Sequence, residues 1–509
     1  MQALTFKHQF LIQQRKRQIK TTSDFYRGKT SEEKSAIEII EDAENQIRMM
    51  MFAKDETIEN ILKTLPETWT IVQISTINSY AFSRFKQTQK DSSLKEGNPN
   101  LCFIRLSNDG TPGQIRTVVS KDKSCVVPYL QEIQSILKEQ VLLLKEPGTD
   151  RKKYWNLREV LNQRMLALVK SVETAWVGSS KGTLLGKLKN TSALNILSEI
   201  SQEVLDLLNI KVGFAEQSKL NILLSGSGFL TLEQVFTELM LMFPRADEDS
   251  LYNAATLIHG YSETKLNLNS EPREPVILIL DPEIQSLPWE SLPCMRDSKQ
   301  PVSRIASLQF LSCLWQVHKS SRSSVVQTGL DADSVFYMIN PDKSLPKTQE
   351  RLESVVNSFQ EWEGLAGRAP EPGQLAKALG QKDAYVYSGH GDGTRYITNS
   401  EIEKLKIRGV SLLLGCSSGE LKRAGRNTDP HGVVQSYLFG TSPAVVGFLW
   451  PVTDADVDKW TIEFLEYWLT GKEENLLQAI ADKRNSFKYF VNSAALVVYG
   501  LPVAVKSKK

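Results

Sequence analysis

The chain has 509 residues, 41% hydrophobic and 24% charged, the composition of a globular protein with room for two to four domains of about 100–200 residues each. Sixty-one Lys and Arg against 59 Asp and Glu leave a formal charge of +2, too weak a field to argue for nucleic acid or an anionic membrane, and no direct nucleic-acid site is evident. The longest apolar stretch, Ala494 to Val505, contains Gly500 and Pro502 and falls well short of the roughly 20 residues that span a bilayer, so no membrane segment is expected.

Charges follow the first apolar stretch (MQALTFKHQFLIQQRKRQIK), the reverse of a secretory signal, so the chain is expected inside the cell. Residues 31 to 64 space their apolar side chains at three- and four-residue intervals among many acids, which predicts an amphipathic helix. Trp69 to Ser75 and Leu101 to Leu106 are short, roughly alternating and β-branched, and predict strands; the polar stretch from Lys86 to Asn100 predicts a loop between them. Helical spacing returns over Val127 to Leu144 and Lys152 to Val177, with Trp155 and Trp176 expected in the core, and helices dominate to about His259.

Near Ser270 the pattern changes. Glu271-Pro272-Arg273-Glu274-Pro275 interrupts regular structure. Beyond it, apolar runs alternate with helix-length segments: Val276 to Leu280, Ser334 to Ile339, Ala384 to Tyr387, Val410 to Leu414 and Ala444 to Leu449. Continuous apolar strands separated by helices predict a largely parallel α/β sheet flanked by helices. A mixed helical and β domain over 1–270 would precede this one over 271–509.

Ligands of open α/β sheets bind beyond the carboxyl ends of the strands. Two predicted strands end in glycine-flanked reactive residues: Ser388-Gly389-His390-Gly391 and Leu414-Gly415-Cys416-Ser417-Ser418, 26 positions apart (416 − 390). The functional reading is a dyad in which thiolate Cys416 attacks a carbonyl and His390 shuttles the proton. A helix beginning after Cys416 would lower the thiol pKa, and the amides of Gly391 and Cys416 would face the oxyanion. The plainer alternative, a structural cysteine beside an ordinary loop histidine, stays open on these residues alone. The five cysteines are widely spaced without C-x-x-C, and the five histidines form no ligand pattern, so neither a metal site nor a cofactor is expected. His318 and His431 read as structural. Arg15-Lys16-Arg17 reads as a solvated basic run.

The two glycine-flanked motifs, together with Gly447-Phe448-Leu449-Trp450-Pro451-Val452-Thr453-Asp454-Ala455-Asp456-Val457-Asp458 and Val498-Tyr499-Gly500-Leu501-Pro502, resemble separases in order and spacing. These are caspase-like cysteine proteases that open cohesin at anaphase. Ser286 to Pro293, Ser303-Arg304-Ile305, Asn340-Pro341 with Thr348-Gln349-Glu350, and Gly367-Arg368-Ala369-Pro370 extend the resemblance over about 275 to 503. Weaker likeness in the first half resembles the substrate-binding domain that precedes the protease. The family usually has Trp-Asp-Val-Thr-Asp where this chain has Pro451 after Trp450, and its long helical region ahead of the protease is missing, as in a short separase or a C-terminal piece.

The resemblance implies a caspase-like endopeptidase, without cofactor, that cuts after Arg in the kleisin subunit of cohesin. It also implies a securin-type inhibitory partner, and action in cytoplasm and nucleus, at spindle and chromosomes in mitosis. A buried guanidinium calls for an acid. Asp458 matches the family's arginine-binding aspartate by position, with Asp456 and then Asp454 behind it. Acids at the start of a helix also fit the helix dipole with no ligand at all.

Overall fold

The computed structural model describes residues 57–77, 100–111, 113–118, 126–145, 151–264, 268–423 and 430–506. The expected helix over 31–56, the loop over 86–99 and the basic run at Arg15 lie outside the described residues. The end of that expected helix, Ile58–Thr64, is helical, and its N-cap Thr57 accepts from the Asn60 amide at 3.3 Å.

The chain divides into two compact units: Pro66–Val302 with Lys488–Ala494, and Met1–Leu65 with Ser303–Phe487 and Ala495–Lys509. These compact units are not consecutive stretches of chain: the helix Ile58–Thr64 groups with residues from Ser303 on, and seven residues close to the C-terminus, Lys488–Ala494, group with the first unit. There Trp155 stacks on Tyr489 with ring centroids 5.8 Å apart, and Asn162 Oδ1 accepts from the Val491 amide at 3.1 Å.

In the first unit β1 (Thr70–Ile77), β2 (Asn100–Ser107) and β3 (Gln114–Val118) form an antiparallel meander, and β4 (Val276–Leu280) adds to β1 in parallel. Between β3 and β4 run the helices Val126–Lys145, Arg151–Val172, Thr191–Leu207, Phe214–Gly226, Leu232–Met242 and Glu248–Thr264. The last four bury a common apolar core that includes Leu197, Val204, Leu220, Leu239 and Ile258. Trp176 is buried as expected. Trp155 is not: it remains 38% exposed, stacked on Tyr489, edge-on to Tyr154 and with the Lys488 ammonium over its ring.

The second unit, from Ser303 on, carries most of β5 (Val302–Ile305), then β6 (Val335–Ile339), β7 (Glu363–Ala366), β8 (Ala384–Ser388), β9 (Val410–Leu413), β10 (Ala444–Phe448) and β11 (Leu496–Gly500), in the order β5-β11-β10-β9-β8-β6-β7. The five strands from β10 to β7 are parallel; β11 runs antiparallel to β10 and parallel to β5. Strands β8, β9 and β10 are buried at every residue, as a sheet covered on both faces requires. Among the described residues no helix is long and apolar enough to cross a membrane.

Candidate active site

Strands β8 and β9 pair in parallel from Ala384↔Val410 to Tyr387↔Leu413, a constant offset of 26 positions (413 − 387). The ladder goes one step further, Leu414 N donating to Tyr387 O at 2.8 Å. Past the strands, His390 and Cys416 keep the same offset of 26 positions at the carboxyl ends of these two neighbouring strands. The loops touch at their glycines: a Cβ on Gly415 would collide with the carbonyl oxygens of Gly389 and Gly391. Only glycine lets the two backbones approach this closely. The 26-residue spacing in the sequence is therefore the register itself.

Cys416 sits in a tight turn, Cys416–Gly419, and is half-buried. Ser417 takes a left-handed conformation (φ 56°), which turns the chain back over β10. There Ser417 N donates to Trp450 O at 3.3 Å and Gly419 N to Phe448 O at 2.8 Å. Ser418 Oγ donates to Leu413 O and accepts from Phe448 N at 3.2 Å, joining the ends of β9 and β10 through the turn. Cys416 Sγ lies 3.4 Å from Val452 O and 3.5 Å from Val452 N. The expected helix after Cys416 is not there: the next described helix begins at Val433, so the thiol's backbone dipoles come from the turn and from Val452.

His390 is exposed at the tip of its loop, whose course is set by Tyr387 Oη donating to His390 O at 2.6 Å. Gly391 and Gly393 have φ of 66° and 80°, and Asp392 Oδ1 closes the loop by accepting from Thr394 N at 3.1 Å. Among the described residues the Gly391 amide donates to no acceptor. Sequence reasoning missed Asp342, on the loop after β6. Hydrogen bonds from Ser344 hold its carboxyl below the usual carboxylate range against a slight burial penalty, and attraction by His390 adds to the shift.

The three candidate acids fall on one helix, Asp454–Leu469, and separate by environment. Asp454 is exposed and Asp456 buried, both in the first turn where the helix dipole favours a negative charge. Asp458 is 1% exposed. Its Oδ2 accepts from Arg351 Nη1 at 2.7 Å and from Thr348 Oγ1 at 2.9 Å. Burial pushes this carboxyl above its usual range, and the hydrogen bonds from Arg351 and Thr348 pull the other way. Arg351 was also missed, since a basic residue inside the helix Pro346–Val356 reads as surface. Thr348 belongs to the Asn340-Pro341 motif. Asn340, itself left-handed (φ 47°), folds that loop by accepting from Leu345 N at 2.8 Å and donating to Gln349 Oε1 at 2.9 Å.

His318 is buried against Ser324 Oγ at 2.7 Å, and His431 lies 3.8 Å from Glu403. Among the described residues neither side chain hydrogen-bonds to Cys416 or His390. No cluster of His, Cys, Asp and Glu suited to a metal occurs among the described residues.

A largely parallel sheet with a cysteine and a histidine on neighbouring strand ends is a caspase-like arrangement. The chain belongs to the separin protease-domain family, whose model ("Separin, protease domain") matches residues 96–457. It is similar to the separin of Mus musculus, 31% identical over 413 residues, which covers 80% of this chain and 19% of the mouse protein. The separin of Schizosaccharomyces pombe is 27% identical over 482 residues, covering 88% of this chain and 25% of the yeast protein. The chain thus spans a quarter or less of these two relatives' lengths. Its fold matches the crystal structure of the Saccharomyces cerevisiae separase-securin complex at 3.0 Å resolution, with a TM-score of 0.69 and 21% identity over 87% of this chain and 30% of that one.

Proposed function

We propose that this chain is a cysteine endopeptidase of the separase type, cleaving after Arg in the kleisin subunit of cohesin. The observation that carries the reading is the contact of Gly415 with the carbonyls of Gly389 and Gly391, which fixes the loops of Cys416 and His390 against each other. In the reaction, His390 takes the thiol proton as Cys416 Sγ bonds to the scissile carbonyl carbon. The amides of Gly391 and Cys416 hold the oxyanion; one such donor is typically worth about 2.7–4 kcal/mol. His390 then protonates the leaving amine, the C–N bond breaks, and water activated by the same imidazole hydrolyses the thioester.

Asp458 is the acid assigned to the arginine at the cleaved position, with Asp456 and Asp454 ranked after it. A securin-type protein would hold the enzyme inactive, in keeping with the separase-securin complex whose fold this chain shares. Its place of action would be cytoplasm and nucleus, at spindle and chromosomes in mitosis. The test is cleavage of a purified kleisin by wild type, Cys416→Ser, His390→Ala and the double variant. Each single variant is expected to lose activity with an unchanged melting temperature, and the double to be hardly worse, because the pair acts as a unit. Full activity in either single variant would remove the dyad. An inert wild type that still binds kleisin would favour a scaffold.

A further inference from the structure

Asp458 begins about 6 Å of helix rise beyond Asp454. It lies six positions after Val452, whose backbone flanks the Cys416 thiol. The acid assigned to the substrate's arginine already holds one of the protein's own. Only Nη1 of Arg351 reaches it, on Oδ2, and among the described residues Oδ1 accepts no hydrogen bond. The two partners are unequally buried: the Arg351 side chain is 37% exposed and that of Asp458 2%.

This asymmetry has a physical consequence. A carboxylate so buried, left without a cation, gives up its charge. A guanidinium that is a third in water and bound through one nitrogen regains its hydration on leaving, so the cost of parting falls on the buried carboxylate, and an incoming guanidinium removes that cost. A pair built only to tie the helices Pro346–Val356 and Asp454–Leu469 together would gain more from a forked contact that uses both oxygens.

Resting on the reading of Asp458 as the arginine pocket, we infer that Arg351 is a specificity-determining residue: a resident guanidinium that keeps the pocket acid charged and that the substrate's arginine must replace. Exchange of one guanidinium for another restores the pair, with two oxygens open to a forked contact. A neutral citrulline cannot make the exchange, and a lysine makes it without the fork. Affinity for an isolated arginine side chain is therefore kept low, and the remainder of the substrate supplies the difference.

The test measures binding of N-acetyl-argininamide by calorimetry to the Cys416→Ser protein, with and without Arg351→Gln, Arg351→Lys or Asp458→Asn. Thermal melts verify folding, and the same three substitutions are assayed in the active protein on Arg and citrulline peptides. Without Arg351 an incoming guanidinium has only a proton to displace from Asp458, so Arg351→Gln is expected to tighten argininamide about tenfold and to lower KM for the Arg peptide more than it changes kcat. Arg351→Lys should fall between. If Arg351→Gln binds no tighter while Asp458→Asn abolishes the preference for Arg over citrulline, the resident-guanidinium inference is wrong and the pocket stands. If Asp458→Asn keeps the wild-type preference, the pocket assignment fails, and the inference with it.

Discussion

Gly415 decides more about this site than either reactive residue next to it. A methyl group there has backbone oxygens of Gly389 and Gly391 in its path, and backbone cannot rotate away as a flexible side chain can. Gly415→Ala must therefore push the β8 and β9 loops apart, at a cost on the order of 1–3 kcal/mol for overpacking. A shift near 1 Å at reacting groups is enough to cost about a hundredfold in rate. The expected outcome is a lower melting temperature and a fall in kcat/KM of about that size, with Cys416 and His390 both present. Wild-type kcat/KM in Gly415→Ala would mean that the contact does not set the geometry.

Where apolar runs were short and β-branched, the elements were legible from sequence almost to the residue: Val276 to Leu280 and Ala384 to Tyr387 correspond to β4 and β8. Strand β7 was not legible, since Glu363–Ala366 is a partly exposed edge strand with a glycine and no β-branched residue. Strand β11 was hidden in a longer apolar stretch that begins as the helix Phe490–Ala495, and periodicity does not separate the two. The two loops of the proposed dyad were legible because glycines bracket Cys416 and His390, whereas the contacts of Arg351 and Asp342 arise from the tertiary fold and leave no mark on local pattern. The helix Leu308–Ser320 carries a second consequence of burial. His318, on its inner face, is held neutral, its pKa lowered to about 4 mainly by desolvation. The unfolded chain takes up this proton near the ordinary 6.5, the folded chain only near 4. Stability should therefore fall as pH drops through that window, by about 3 kcal/mol from this group. Denaturant midpoints at pH 7 and 4.5 should show a smaller loss in His318→Asn than in wild type; equal losses would contradict the assignment.

Over the whole molecule, the chain leaves its second unit at Phe487, contributes Lys488–Ala494 to the first, and returns for β11. Within the first unit Arg158, buried to 1%, donates to Asn492 Oδ1 at 3.2 Å. Asn492→Ala removes that acceptor from a buried guanidinium and is expected to cost about 1–3 kcal/mol, read as a lower denaturant midpoint. An unchanged midpoint would show that this hydrogen bond contributes nothing to stability. The central claim is that Cys416 is a nucleophile activated by His390. It is tested most directly by incubating the chain with an acyloxymethyl ketone on an Arg-ending peptide and locating the adduct by mass spectrometry. The account predicts one adduct, on Cys416, formed quickly in wild type and far more slowly in His390→Ala. Labelling of another cysteine, or an equal rate in His390→Ala, would contradict it.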